Sequence, residues 1–205
     1  MSKVVEYFGL PGVGKSTQLN SGGYCDKLNA IPHKVPLGQD KDKLKNTFVG
    51  LYSHPKLFFY LLVASTSNLS TFDMKLSIRP IFVVLERIGR YKKIQNLLDN
   101  KDIHVDEGPL QFVWRVFYEK EISKSNIKLL KRCLECLSFE EKMVVYFRCN
   151  KIKHFNRLIS RNKNQPFDQN IIKGNKLDYD RGRRWMAYVL KCMKDNKIPL
   201  TSISI

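Results

Sequence analysis

Residues 9–17, GLPGVGKST, follow the short apolar run KVVEYF and lead into a segment with helical patterning. The stretch 9–16 fits G-x-x-x-x-G-K-[ST] in full, with a strand expected before it and a helix after it. Gly9, Gly12 and Gly14 permit backbone angles that side chains forbid, so consecutive N–H groups can turn inward around phosphate oxygens. A helix from about Lys15 to Lys27 adds its positive N-terminal end. Lys15 can reach the β- and γ-phosphates of a bound nucleotide, and the Ser16 hydroxyl can bind Mg²⁺. The nucleotide-contacting candidates are therefore Gly9, Leu10, Pro11, Gly12, Val13, Gly14, Lys15, Ser16 and Thr17.

The remaining pattern alternates short apolar runs with longer helical stretches. Strands are expected at 3–8, at 102–108 (DIHVDEG), at 143–149 (MVVYFRC) and in the terminal IPLTSISI, with an irregular or edge strand near 31–36. Region 40–100 reads as mostly helical, with LYSHPKLFFYLLVASTSNL as one long apolar helix and Pro80 opening the next. Further helices are expected at 109–120, 125–137, 151–161 and 178–196, with a polar loop at 162–175. Alternation of this kind predicts an α/β fold, a three-layer α/β/α arrangement around a parallel sheet of about five strands. A chain of 205 residues suits one domain spanning 1–205.

The N-terminus lacks the order of a secretory signal, and the run LFFYLLVA at 57–64 is too short to span a bilayer. Five cysteines without an export signal point to reduced thiols in a cytoplasmic setting. CLEC at 133–136 has metal-like spacing but no second pair, and the four histidines are scattered. Net charge is +17, of which residues 142–197 carry +11. A basic surface suits an anionic partner, whether nucleotide, nucleic acid or acidic membrane, and equally suits a lysine-rich solvated face.

A phosphate loop alone does not distinguish a switch from a kinase, so the second half of the site matters. In IHVDEGPLQ, 103–111, acids stand where a strand beside the loop should end, and open α/β sheets bind ligands there. Asp106 would hold Mg²⁺ through water or accept a proton from an attacking hydroxyl, with Glu107 its competitor for the base role. The same acids would also suit the start of the helix at Pro109. Arg157 and Arg161 lie four apart, on one helix face, before the polar loop. An arginine-bearing lid there would clamp the transferred group and exclude water; a solvent-facing basic helix is the alternative. Arg87 and Arg90, three apart, and Gln111, one turn past the acids, are candidates for acceptor binding, with helix packing as the competing role. RGRRW at 181–185 suits either a phosphate or a helix start with Trp185 in the core.

The order of glycine loop, acidic strand end, arginine lid and terminal strand resembles the P-loop nucleoside and nucleotide monophosphate kinase superfamily, most of all its thymidylate-kinase and deoxynucleoside-kinase branch. The resemblance implies a P-loop kinase-like fold with a helical lid at 151–176 and an acceptor-side helical region at 40–100. It also implies ATP and Mg²⁺ as cofactors, a small-molecule acceptor (nucleoside, nucleotide or sugar-like alcohol), and a homodimer among the partner expectations. Two features depart from that branch. Asp106-Glu107 stands where Asp-Arg is usual, and the acid before proline or tryptophan that follows the second strand is missing from IPHKVPLGQDKD. Two other functions fit the same loop. One is a nucleic-acid 5′-end kinase using the basic C-terminal third. The other is an ATPase or switch module acting through a partner, with Glu107 polarising water.

Overall fold

The apolar runs VVEYF and KMVVYFR become neighbouring parallel strands, β1 (Val4–Phe8) and β3 (Lys142–Arg148). The computed structural model describes residues 4–15, 17, 42–66, 74–95, 103–105, 108–118, 120–137, 142–160 and 176–204. Among them the sheet has four strands in the order β2-β1-β3-β4, where β2 is Ile103–Val105 and β4 is Leu200–Ser204, and every pairing is parallel. The strand expected near 31–36 and the loop at 162–175 lie outside the described residues, as does the helix expected after Lys15 beyond its first residues.

All five residues of β1 are buried, as a central parallel strand covered on both faces requires. One face, with Phe8 and Val144, joins the large core; the other carries Val5, Tyr7, Val145 and Phe147. Parallel neighbours need long crossovers, and seven helices supply them among the described residues. Between β1 and β2 run α1 (Lys43–Ser53), α2 (Pro55–Thr66) and α3 (Met74–Gln95). Between β2 and β3 run α4 (Pro109–Tyr118) and α5 (Lys124–Glu135). Between β3 and β4 run α6 (Lys151–Ser160) and α7 (Lys176–Asp195).

Two helix expectations are corrected. The long apolar helix is broken at His54, which is not helical, because the ring of Pro55 disfavours helical geometry in the residue before it. Pro55 is then the first residue of α2, where its missing N–H costs nothing. Pro80 does not open a helix but lies inside α3. As the seventh residue it forfeits one backbone bond in the second turn, while Ile81, Val84, Leu85 and Ile88 bury the face that follows.

The core is stitched by two indoles. Trp114 Nε1 donates to the Gly182 carbonyl at 3.1 Å, and Trp185 Nε1 to the Lys120 carbonyl at 3.0 Å, so α4 and α7 each anchor the other's surroundings. Trp185 is fully buried while Arg183 and Arg184 beside it are exposed. No helix among the described residues is long and apolar enough to cross a membrane.

Helices α1 and α3 approach so closely that glycine is required at both crossing points. A methyl group on Gly50 would land on the Leu85 carbonyl, and one on Gly89 on the Asn46 carbonyl. Backbone cannot yield as a side chain can. Replacing Gly89 with alanine is therefore expected to lower stability by about 1–3 kcal/mol, read from the urea midpoint.

Candidate active site

The loop that leaves β1 at its C-terminal end sits where the sheet order turns, with β2 on one side of β1 and β3 on the other. Its glycines are demanded locally. Gly9, Gly12 and Gly14 have φ of 158°, 81° and 105°. Gly9 also passes so close to β3 that a Cβ would lie 2.8 Å from the Phe147 carbonyl oxygen. Val13 N donates to the Leu10 carbonyl at 3.2 Å, which tightens the turn.

Side chains donate to four carbonyls of this loop. The buried Lys15 ammonium donates to Gly9 O at 2.9 Å and to Leu10 O at 3.4 Å. From α6, His154 Nε2 donates to Pro11 O at 2.8 Å and Arg157 Nη1 donates to Val13 O at 3.2 Å. Arg157 also reaches the Cys149 sulfur at 3.7 Å. From the other side, Gln111 Oε1 accepts from Gly9 N at 3.3 Å. Thus Lys15, Arg157 and Gln111, all singled out in the sequence, converge on one loop.

Gln111 is aimed by a residue that pattern reading passed over. Glu6, buried in the middle of β1, accepts from Leu110 N at 2.9 Å and from Gln111 N at 3.3 Å through the same Oε1. A carboxylate against the N–H groups of a helix start is the favourable arrangement for the helix dipole. The carboxylate that caps α4 in the structure thus comes from β1. Gly108 gives it room, since a Cβ there would overlap the Glu6 carboxylate and the Tyr91 hydroxyl. Burial and the neighbouring Glu6 charge push the Tyr91 phenol well above its ordinary range, so it stays protonated. The visible signal for Glu6 was a lone charge inside an apolar strand, which must find partners once buried.

His154 and Tyr179 were also missed. His154 Nδ1 lies 2.8 Å from the Tyr179 hydroxyl on α7, with ring centroids 5.4 Å apart. Burial holds the imidazole below its usual range against the opposing pull of the Pro11 bond, and Arg183, Lys15 and Arg157 push the same way as burial. The sequence offered one faint sign, since His154 and Arg157 are three apart on a helix and so share a face.

Arg87 and Arg90 are not on the loop. Both are buried and face Glu86, with Arg90 at 2.7 Å and Arg87 at 3.6 Å. Arg87 also stacks 5.4 Å from the centre of the Phe112 ring, next to Gln111. Ser16, Asp106, Glu107 and Arg161 lie outside the described residues, although Val105, which precedes the acids, pairs with Glu6 in the sheet. Thr17 is helical and exposed.

No protein-family model matches the chain, and no curated protein matches its sequence. Solved structures do match. Deoxyadenosine kinase from M. mycoides with bound dATP aligns over 98% of this chain and 90% of its own, at 18% identity and a TM-score of 0.50. Thymidylate kinase from Candida albicans aligns over 99% of this chain and 83% of its own, at 15% identity and a TM-score of 0.53. The fold is that of a P-loop nucleoside or nucleotide kinase. In this kinase-like fold the loop is gripped from two sides, by α4 through Gln111 and by α6 through His154 and Arg157.

If Glu6 sets the start of α4, replacing it with alanine removes the side-chain acceptor of the buried Leu110 N, while Gln111 N keeps the Gly108 carbonyl at 3.1 Å. The expected loss is about 1–3 kcal/mol in urea denaturation. The Gln111 contact to Gly9 should loosen with it, and binding of a fluorescent ATP analogue should weaken. Unchanged stability would refute the cap.

Proposed function

We propose that the chain is an ATP- and Mg²⁺-dependent phosphotransferase that moves the γ-phosphate of ATP to a small nucleoside- or nucleotide-like acceptor. The observation that carries this reading is the loop itself. Lys15, His154 and Arg157 donate to its carbonyls, and in this reading the loop N–H groups other than those of Gly9 and Val13 would face an anion at the C-terminal end of β1. The Lys15 ammonium donates to two loop carbonyls, and in this reading it would also donate to the phosphates.

Ser16 and Asp106 supply a hydroxyl and a carboxylate, hard oxygen donors of the type a Mg²⁺ ion prefers. Bound there, the ion would neutralise charge on the phosphates. Asp106 or Glu107 would take the proton of the acceptor hydroxyl. Arg157 and Arg161 would stabilise charge on the transferred group, with Arg157 exchanging its Val13 contact for a phosphate oxygen. Gln111, Arg87 and Arg90 would serve the acceptor side, with Gln111 also tying the loop to α4. The kinase-like fold over nearly the whole chain supports an acceptor of the same general class.

A second reading rests on the exposed cations beside the loop. Lys151 and Arg183 flank the Tyr179 ring at 5.8 and 5.9 Å, and Tyr179 reaches the loop through His154. A nucleic-acid 5′ end would be attracted there, and its affinity would fall steeply with salt.

The test is transfer from γ-labelled ATP to a panel of nucleosides, nucleotides, sugars and a 5′-hydroxyl oligonucleotide. A labelled nucleoside or nucleotide is expected. Release of inorganic phosphate with no labelled acceptor would overturn the kinase reading. Lys15→Ala should lower transfer by about 10²–10³-fold, the scale for loss of one charge-stabilising group.

A further inference from the structure

A loop that turns its N–H groups toward an anion must turn its carbonyls away, and buried carbonyls need donors. Gly9 O and Leu10 O take Lys15, Val13 O takes Arg157, and Pro11 O takes His154. Pro11 has no N–H to offer a phosphate, so its carbonyl is its one polar backbone group. The three donors are not alike. Lys15 and Arg157 are cations with reason to leave for phosphate oxygens once these are present. The imidazole is the donor without that alternative, because it is neutral.

Its tautomer follows from its partners. A carbonyl oxygen can only accept, so the proton sits on Nε2, and Nδ1 accepts from the Tyr179 hydroxyl. Tyr179 is itself wedged against Phe155 and His154, with ring centroids at 6.3 and 5.4 Å, and is 1% exposed. The ring is thus fixed at both nitrogens, by the loop and by α7.

We propose that His154, oriented by Tyr179, is a positioning residue that holds the phosphate loop in its anion-binding form while Lys15 and Arg157 turn to the bound phosphates. It would also tie the loop to α6 and α7, the two helices on either side of residues 161–175. This rests on the nucleotide-binding reading of the loop. It concerns donor affinity rather than the acceptor.

The groups facing the ring are Lys15 from the loop, Arg157 from α6, and Arg183 and Tyr179 from α7; the nearby Asp180 is paired with Lys151 at 2.7 Å. Among the described residues, the charges of Arg183, Lys15 and Arg157 reinforce burial in keeping it neutral. An unfolded histidine takes up a proton below about pH 6.5, while the folded ring resists it. The unfolded state therefore binds more protons in that window, and stability falls as pH drops through it.

Three variants test the strut, each compared with wild type by titration of a fluorescent ATP analogue and by KM for ATP and for the acceptor. His154→Phe removes the donor and should weaken ATP binding about tenfold, the scale of one hydrogen bond. His154→Gln keeps an amide N–H near the Nε2 position and should restore affinity to within about twofold. KM for the acceptor should not move. Equal losses in both variants, or a matching rise in acceptor KM, would sink the proposal. If His154→Phe does not fold, Tyr179→Phe carries the test: several-fold weaker ATP binding supports the strut and unchanged binding overturns it. Should wild type and Lys15→Ala alike bind no ATP, the nucleotide reading is what fails. The strut is then judged by urea denaturation between pH 5 and 7, where His154→Gln should flatten the slope of stability on pH.

Discussion

One buried carboxylate sets the geometry on which the site depends. Glu6 stands in the central strand of a parallel sheet, among residues that are otherwise apolar or aromatic. Removed from water, such a group must be hydrogen-bonded, and it accepts from the Leu110 and Gln111 N–H groups in the first turn of α4. That contact fixes where α4 begins, which places Gln111 one turn in, where its side chain can reach Gly9 N. Sheet, helix and loop are therefore registered against one another by a single side chain. The surroundings are fitted to it: a larger residue than glycine at 108 would overlap it, and Tyr91 stays neutral beside it.

What could be read from the sequence is what local chemistry decides. The glycine loop follows from positions that need unusual φ, and the apolar runs follow from strands buried on both faces. Gln111 was found by its distance from the acids, and its contact with the loop follows. The spacing of Arg157 places it on one face of α6; its partner in the structure, Val13 O, is a loop carbonyl 144 residues away in sequence. Glu6 and His154 were not found, because each acquires meaning only from a partner on a distant segment. A lone glutamate in a strand is a signal only if one already knows that the strand is central. The proline corrections have the same origin. Pro55 stops one helix and starts another, since it acts on the residue before it, whereas Pro80 is carried inside α3 because the buried face of that helix outweighs one lost bond.

Positive charge in this chain serves two different ends. Arg87 and Arg90 are buried and matched by Glu86, with Arg87 also lying over Phe112, an arrangement that packs α3 against α4. The cations near the loop are differently placed. Lys15 and Arg157 donate to neutral carbonyls, and Lys151 and Arg183 border an aromatic ring. The +11 of residues 142–197 contains both Arg157 and Arg183, which links the uneven charge of the sequence to this part of the fold.

That difference explains why a neutral imidazole belongs among these cations. A loop held only by Lys15 and Arg157 would lose its external supports when both turned to a nucleotide, and its carbonyls would be free to turn inward and repel the phosphates. A third cation at the position of His154 would add repulsion to Lys15 and Arg157 before the nucleotide arrived and would itself be drawn to the anion. A neutral donor avoids both costs. It needs a defined tautomer, which Tyr179 provides, and it needs to stay unprotonated, which burial provides. On the opposite side Gln111, also neutral, keeps its hold on Gly9 N. In the proposed nucleotide complex the charged groups at the loop would be the ones to move, and the uncharged ones would hold the backbone in place.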